Sequence, residues 1–386
     1  MRYIVILSLL ILSSCSLKTN DERSQRYSNN EVIITDYGAD PTGHLDCSVL
    51  INKIIANFPS SGGVVVIPEG TFVLDNPIII NRNYITIRGL NSGMRSNIDV
   101  DKPEDGLGPG GGSKLVLRKA EYGIHISPIP DVDNLKNRIS GVEISNLLIS
   151  GGESNNGIGV FFEHDNDRCT ISNVIGINLI TGIIANAADA MVIKDSWLCE
   201  MQNGIEMNNG IQNTISGCQL GAQPDGITCK LVRQNNLLFS GNHVYPNGKT
   251  NLLLEACSYV NITSNNFKSY YNGIIDINGD NNLLSGNIIW LTGGSKKQTL
   301  DNAGDYGVVR INGKNNFFTS SSISCKWNDS IQNPVCIKSL GGPNKFTNLH
   351  IDNINSTRVF WVQSYDIVEL CDDNKNIFID KSSISR

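Results

Sequence analysis

Apolar and small polar residues recur in a short pattern through the middle of this 386-residue chain. Each occurrence is an apolar pair followed by two mostly small polar residues. Six occurrences can be anchored at Ser172, Lys194, Ser216, Ser240, Ser264 and Ser285, with intervals of 22, 22, 24, 24 and 21 residues. So regular an interval predicts a solenoid, because each repeat can bury its apolar side only against the next one.

Within each repeat, the apolar residues form runs of two to four that are rich in β-branched members and separated by Asn, Gly, Ser and Asp. Such runs are typical of short strands and turns, and no helical pattern fits between them. We therefore predict three strands and three turns per coil, which is an all-β, right-handed parallel β-helix. Asn at equivalent turn positions should adopt the left-handed backbone region and stack from coil to coil.

The two ends of the pattern predict an exported, single-domain protein. Residues 1–15 combine Arg2, an apolar run and a Leu-Ser-Ser-Cys sequence that ends at Cys15. This segment resembles a bacterial lipoprotein signal with Cys15 as the lipidation site, although a plain cleaved signal peptide is the alternative, and the run is too short to span a membrane. Residues 16–31 are polar and predict a tether, and residues 32–386 predict one β-helix domain anchored by lipid at the bacterial cell envelope.

Residues 32–72 predict the N-terminal cap of the solenoid. A strand-like segment and an amphipathic stretch precede the run Gly-Gly-Val-Val-Val-Ile-Pro, an order that resembles the opening of many carbohydrate-active β-helices. A cap is physically required, since an open end would leave a row of unpaired strand edges.

Composition narrows the range of partners. The net charge of −6 and the pI near 5.4 argue against nucleic acid and favour a neutral or cationic partner. Acidic polysaccharides are disfavoured unless calcium bridges the repulsion. The cysteines lack a Cys-x-x-Cys pair and should fill core positions, and the five histidines lie far apart, so we predict no metal site and no cofactor.

Two acids interrupt the small polar pattern. Asp195 occupies a position held by Asn or Gly in the other repeats, and Glu206 follows 11 residues later, half a repeat away, with Glu200 between them. One strand and one turn separate the two acids, which could then face the same wall of one coil. Paired carboxylates are what glycosyl transfer needs, one as proton donor and the other as base or nucleophile. The alternative is that Asp195 forms a turn and Glu206 is a solvated surface residue.

A family resemblance decides between these interpretations. Residues 186–206 read NAADAMVIKDSWLCEMQNGIE. This run resembles the core motif of the inulin fructotransferases and difructose dianhydride hydrolases, glycoside hydrolase family 91, in which an Asp and a Glu lie eleven positions apart with another Glu between them. The resemblance implies that Asp195 and Glu206 are the catalytic pair and that Glu200 binds substrate. It extends over residues 109–115, 221–226, 242–246, 267–271 and 306–309.

The chain departs from the family pattern in two places. Leu107-Gly108 replaces an aromatic residue before the glycine run at 109–115, and the insertion 291–303 is rich in Gly, Lys and Gln where family members carry aromatic and acidic residues. Both departures bear on the substrate and product rather than on the fold.

The resemblance implies a homotrimer with active sites at the subunit interfaces. The implied activity is that of an inulin fructotransferase, which releases a cyclic difructose dianhydride, DFA III or DFA I, from the end of β-2,1-fructan. The alternative is the hydrolase that opens the dianhydride. Glu206 would supply the proton and Asp195 would act as base, or the reverse. Trp197, Tyr270 and Tyr271 are candidate sugar platforms, with core or interface packing as the alternative.

Two other function classes remain open on the sequence. A calcium-dependent pectate lyase would use Asp276 and Asp280, but Asn278-Gly279 between them favours a turn, and no basic residue stands beside them. A non-catalytic β-helix binding module is the second alternative. Convergence of Asp195 and Glu206 to roughly 5 to 9 Å would argue against that alternative.

Overall fold

The computed structural model of the chain describes residues 30–93, 111–129, 137–152, 156–292, 306–327, 335–354, 358–369 and 377–380. Cys15 and Leu107-Gly108 lie outside these residues, as does nearly all of the insertion 291–303. Within the described residues, no helix is both long and apolar enough to cross a membrane.

The described residues form one α-helix and a long series of short strands. A 3-10 turn, Ile34–Tyr37, and the helix α1, Ser48–Asn57, belong to the first coil. The first strands are β1 (Glu31–Ile33), β2 (Thr42–Asp46), β3 (Gly63–Ile67), β4 (Gly70–Leu74), β5 (Ile78–Ile80), β6 (Ile85–Gly89), β7 (Ser113–Leu117), β8 (Tyr122–Ile126), β9 (Ile139–Ser140), β10 (Glu143–Ser150), β11 (Ile158–Phe162), β12 (Asn166–Asp167), β13 (Thr170–Ile177), β14 (Thr181–Asn186), β15 (Ala188–Asp189), β16 (Val192–Lys194), β17 (Trp197–Glu200), β18 (Asn203–Asn208) and β19 (Thr214–Ser216).

The remaining strands repeat the same order. They are β20 (Gln219–Leu220), β21 (Ile227–Val232), β22 (Leu238–Ser240), β23 (His243–Val244), β24 (Thr250–Ser258), β25 (Asn261–Thr263), β26 (Asn266–Ser269), β27 (Ile275–Asp280), β28 (Leu283–Ser285), β29 (Ile288–Leu291), β30 (Val309–Asn312), β31 (Phe317–Thr319), β32 (Ser322–Lys326), β33 (Val335–Ser339), β34 (Lys345–Thr347), β35 (His350–Ile354), β36 (Arg358–Gln363), β37 (Ile367–Glu369) and β38 (Ile377–Asp380).

These strands stack in parallel into a β-helix of about 11 coils, which confirms the predicted fold class. Three long faces surround the core, and β10 and β13 each run from the first face into the second. Face A comprises β1, β3, β6, β10, β13, β16, β19, β22, β25, β28, β31, β34 and β37. Face B comprises β2, β4, β7, β10, β13, β17, β20, β23, β26, β29, β32 and β35. Face C comprises β5, β8, β11, β14, β18, β21, β24, β27, β30, β33, β36 and β38.

The core is built from columns of identical or similar apolar side chains. One column of face A runs through Ile87, Ile144, Ile171, Ile193, Ile215, Phe239, Ile262, Leu284, Phe318 and Phe346. All of these side chains are buried. Each repeat thus covers the apolar face of its neighbour, as the repeat pattern predicts.

Buried asparagines form ladders inside two of the corners. At the corner between faces A and B, Asn265 Oδ1 accepts hydrogen bonds from the backbone N–H and the side-chain amide of Asn242, both at 3.0 Å. Asn287 Oδ1 accepts the same pair of bonds from the backbone N–H and the side-chain amide of Asn265, also at 3.0 Å. Asn282, Asn316 and Asn344 form an equivalent ladder on the other side of face A. These bonds satisfy polar backbone groups that water cannot reach.

The strand register corrects one anchor in the alignment of the repeats. Ser240 pairs with Thr263, and Thr263 pairs with Ser285. The anchor in that coil is therefore Thr263 rather than Ser264, and Ser264 rather than Asn265 follows it at the corner. Asn265 lies one residue further, inside the core ladder. The error arose because both Thr263 and Ser264 are small hydroxyl residues, which the apolar pattern cannot distinguish.

The N-terminal cap has the predicted parts. The strand β1 pairs with β3, and α1 buries Ile51, Ile54 and Ile55 against the first coil. Asn52 fixes the helix to β5, because its amide donates to the Pro77 carbonyl at 2.9 Å and its oxygen accepts the Ile79 N–H at 2.7 Å. The helix thereby covers the strand edges that the first coil would otherwise expose.

Candidate functional site

Asp195 lies at the exposed corner between face A and face B, directly after β16. Its backbone has φ of 51°, and its N–H donates to the Ser216 carbonyl of the next coil at 3.1 Å. The equivalent corner residues Asn173, Gly217, Gly241, Ser264 and Gly286 all have φ between 51° and 64°. Asp is among the residues that tolerate this left-handed region, so the fold accepts the acid where other coils use Asn or Gly.

Gly217 gives the Asp195 carboxylate its place. A Cβ built on Gly217 would lie 2.7 Å from Asp195 Oδ1. The carboxylate therefore lies over the backbone of the next coil, in space that only a glycine leaves open.

Glu206 lies on the outer surface of face C, in the middle of β18. Its neighbours in the outward-facing column are Ile184 on one side and Lys230 on the other. Asn208 Nδ2 donates to Glu206 Oε1 at 3.2 Å and to Asn186 Oδ1 at 3.1 Å. This partly buried carboxylate is thus oriented by an amide that is itself held by a second amide.

The two acids do not share one wall of the coil, and that expectation was wrong. The turn after β16 places Asp195 at the corner between faces A and B, whereas β17 and a further corner precede Glu206 on face C. No hydrogen bond joins the two carboxylates in the described part of the chain. Half a repeat carries the chain past a whole face, so a spacing of 11 residues separates the acids rather than bringing them together.

Trp197 lies on the outer surface of face B, at the start of β17. Its ring packs against the buried side chains of Leu148, Ile175 and Ile177. It also stacks on Tyr245, with centroids 6.0 Å apart and an interplanar angle of 27°. These contacts favour the packing role for Trp197, and its role as a sugar platform stays a prediction.

The other predicted substrate residues lie along the corner between faces B and C, but in coils three strands apart on face B. Tyr270 and Tyr271 lie between β26 and β27, and Glu200 ends β17 at the same corner of another coil. Burial raises the pKa of the Tyr271 phenol, and the negative charge of Asp225 raises it further. The side chain of Glu200 lies outside what the structure describes. Their substrate contacts remain predictions.

The sequence analysis named the buried acid Asp276 on face C but missed its partners, Tyr306 and Arg310. Asp276 accepts a hydrogen bond from the Tyr306 hydroxyl at 2.6 Å. It also forms an ion pair with Arg310, whose Nη1 lies 3.3 Å from Asp276 Oδ2. Burial raises the pKa of Tyr306, and the bond to Asp276 adds to that rise. The three residues are separated by up to 34 positions in sequence. Only the register, which pairs Asp276 with Arg310, could have revealed them.

Two of the sequence-based arguments against a pectate lyase, the turn at Asn278-Gly279 and the absence of a basic neighbour, are wrong. Asn278 and Gly279 lie within β27 rather than in a turn, and a basic residue, Arg310, does stand beside Asp276. Asp280 does not join Asp276, because its Oδ1 accepts the Lys314 N–H at 2.8 Å. The two aspartates therefore do not converge as a pair of calcium ligands.

Comparison with protein-family models gives two matches. Residues 32–100 match the model described as rhamnogalacturonase A/epimerase, pectate lyase-like. Residues 135–333, more than half of the chain, match the model described as periplasmic copper-binding protein (NosD). The chain belongs to the NosD family. The described residues contain no group of three His, Cys, Asp or Glu side chains that could hold a metal ion. These residues therefore do not fit a copper site.

A curated relative extends the comparison to fructan enzymes. The chain is 23% identical over 326 residues to the inulin fructotransferase [DFA-I-forming] of Arthrobacter globiformis, a match that covers 76% of this chain and 79% of the relative. The sequence resemblance to the inulin fructotransferase and difructose dianhydride hydrolase family is thereby confirmed.

Solved structures show the same fold. DFA-IIIase from Arthrobacter chlorophenolicus A6 in complex with GF2 superposes with a TM-score of 0.79 at 21% identity, covering 92% of this chain and 97% of that one. The same enzyme in complex with DFA-III gives a TM-score of 0.77 at 21% identity, covering 89% and 94%. At this identity, the structural likeness establishes the β-helix architecture.

Proposed function

We propose that this protein is an inulin fructotransferase that releases a cyclic difructose dianhydride from the end of β-2,1-fructan. The observation that carries the proposal is the 326-residue match to an inulin fructotransferase, which spans the coil containing Asp195 and Glu206. The alternative within the same family is a hydrolase of difructose dianhydride III. Its support is the fold shared with DFA-IIIase along nearly the whole chain.

The proposed reaction breaks one glycosidic bond and forms another. A hydroxyl of the terminal fructosyl unit attacks the anomeric carbon of the next unit, and the bond from that carbon to the rest of the chain breaks. One carboxyl group gives its proton to the departing oxygen, and the other carboxylate takes the proton of the attacking hydroxyl. We assign Glu206 as the proton donor and Asp195 as the base. No water is consumed, whereas the hydrolase would admit water as the attacking group.

The positions of the two acids favour a site between copies of the chain. In a ring whose symmetry axis runs parallel to the solenoid, every residue keeps its height in all copies. Asp195 and Glu206 belong to the same coil, so the corner of one copy can meet face C of the next at one level. The corner beside Asp195 carries Gly217 and Gly241, whose small size permits close approach. We therefore propose a homotrimer in which each site takes Asp195 from one copy and Glu206 from its neighbour.

The proposed location follows from the N-terminal residues and the size of the substrate. A protein anchored through a lipid on Cys15 would meet a polymer that is too large to import. This location favours the transferase over the hydrolase. Mass spectrometry of the membrane-extracted protein would reveal the lipid on Cys15, and a protein that starts at a residue beyond Cys15 would contradict the anchor.

Product analysis tests the activity. The soluble form that starts after Cys15 is incubated separately with inulin and with difructose dianhydride III, and the products are resolved by chromatography. A cyclic dianhydride from inulin supports the transferase and identifies its linkage. Inulobiose from the dianhydride, with inulin unchanged, establishes the hydrolase. If neither substrate is converted, the proposal is wrong, and a pectin-active enzyme or a binding module becomes the better interpretation.

Mixed assemblies test the site between copies. Asp195→Asn and Glu206→Gln chains are produced separately and by co-expression. If each site draws on two chains, random mixing restores both acids in about a quarter of the sites, although each variant alone is inactive. If each site lies within one chain, co-expression restores nothing, and the shared site is wrong even where the activity stands.

A further inference from the structure

A cluster of aromatic rings lies on the outer surface of face C, in the coils that precede the one carrying Glu206. Tyr122 and His125 come from β8, and Phe161 comes from β11. The Phe161 ring stacks on Tyr122 at 4.9 Å and on His125 at 5.3 Å between centroids. Glu163 closes the cluster, because its Oε2 lies 2.8 Å from His125 Nε2. All three rings are only partly buried, so they offer an accessible apolar surface.

The cluster stands in the same outward-facing column as Glu206. His125 pairs with Phe161, Phe161 with Ile184, and Ile184 with Glu206. Neighbouring strands lie about 4.8 Å apart, so the Phe161 ring is ~10 Å from Glu206 along the solenoid. The column is apolar over this whole interval.

A second column of polar side chains runs beside the first. Asn186 donates to the Glu163 carbonyl at 3.3 Å, and Asn208 donates to Asn186 and to Glu206. The Glu163 side chain is 46% exposed at the far end of this column. Hydrogen-bonding groups therefore flank the apolar column from Phe161 to Glu206.

This combination fits a neutral sugar chain. Sugar rings present apolar C–H faces, which pack on aromatic rings, and hydroxyl groups at their edges, which need hydrogen-bond partners. We propose that the strip formed by Tyr122, His125, Phe161, Ile184 and Glu163 is a subsite that holds fructosyl units beyond the bond cleaved at Glu206. The inference rests on the proposed function and deepens it, because a strip of this length serves a polymer rather than an isolated dianhydride.

Kinetics with substrates of two lengths test the strip. Phe161→Ala should lower kcat/KM for long-chain inulin by about five- to tenfold, the loss expected for one aromatic contact. The kcat/KM for a fructan of three units should change less than twofold. Phe317→Ala is the matched control, since Phe317 is an outward phenylalanine of face A, 36% exposed, and should leave both values unchanged.

Binding provides a readout that does not need turnover. Calorimetric titration of Glu206→Gln with inulin should give a dissociation constant that rises by a similar factor when Phe161→Ala is added. An unchanged constant overturns the subsite, and so does an equal loss of kcat/KM for both substrate lengths. If light scattering shows that Phe161→Ala breaks up the assembly, the cluster is a contact between copies, and the proposal is wrong. Wild-type protein that binds inulin without converting it would instead refute the proposed function.

Discussion

At the residue scale, the proposed site depends on two acids that occupy exposed or partly exposed positions outside the core. Asp195→Asn and Glu206→Gln should each lower kcat for inulin by about two to four orders of magnitude, the usual contribution of a positioned acid or base. Thermal unfolding should barely change, since neither side chain packs in the core. Glu255→Gln, which alters another outward acid of face C, is the control. Near wild-type turnover in either catalytic variant would refute the assignment.

Gly217 allows a more specific test of the Asp195 position. Gly217→Ala should lower kcat, because the added Cβ would lie 2.7 Å from Asp195 Oδ1 and displace the carboxylate. Gly241→Ala is a closely matched control. Gly241 has the same φ of 64° at the equivalent corner of the next coil, but a Cβ added to it would meet only Gly217 N, at 3.9 Å. Both variants carry the same backbone strain, so an equal loss of activity would mean that the Asp195 position does not matter.

The sequence nominated residues for the site but did not show on which face of the coil each one lies. It identified the coil of Asp195 and Glu206 from the repeat and the family motif. It placed both acids on one wall, because a repeat length gives the coil but not the face that each half of the coil occupies. The association of Asp276 with Tyr306 and Arg310 was missed for the related reason that contacts between coils join residues some 30 positions apart.

At the element scale, the asparagine ladders hold neighbouring coils in register. Asn265→Ala would remove the acceptor of two bonds from Asn242 and the donor to the Phe239 carbonyl at 2.9 Å, all buried. Leaving these groups unpaired should lower the free energy of unfolding by about 2 to 4 kcal/mol. Denaturant unfolding followed by circular dichroism measures the change. Asn266→Ala, at the exposed neighbouring position, should cost much less, and equal costs would show that the ladder does not stabilise the stack.

The repeat predicted that asparagines stack from coil to coil, but it placed Asn265 at the wrong position. Asn is favoured at corners because it tolerates left-handed backbone, and the pattern therefore suggested Asn265 for the corner itself. The structure places Ser264 there with φ of 57° and turns Asn265 inward. Local propensity could not decide between adjacent polar residues, whereas the hydrogen bonds to Asn242 and Asn287 do decide.

At the scale of the whole molecule, the buried thiols link stability to pH. All eight cysteines of the described residues are buried. Burial raises the pKa of Cys169 to about 11 and that of Cys218 to about 12, and it raises the pKa values of Cys229 and Cys257 as well. The thiols of the described residues are thus core residues of the solenoid, as predicted from the absence of a Cys-x-x-Cys pair.

These shifts should make the protein lose stability in alkali. An unfolded thiol titrates near pH 8.5, whereas burial keeps the native Cys169 thiol protonated to about pH 11. Between these values the unfolded chain binds fewer protons than the native one, so the free energy of unfolding falls as pH rises. Each fully protected thiol contributes about 1.4 kcal/mol per pH unit to this fall.

The double variant Cys218→Ala, Cys229→Ala isolates this contribution. Both proteins are unfolded with denaturant at pH 8, 9.5 and 10.5, and the two slopes of stability against pH are compared. The variant starts lower at pH 8, because two small cavities remain in the core. Its slope should nevertheless be shallower, since tyrosines and lysines titrate alike in both proteins and only the thiols differ. Parallel slopes would mean that Cys218 and Cys229 do not hold their protons in the native coil, and hence that water reaches the core.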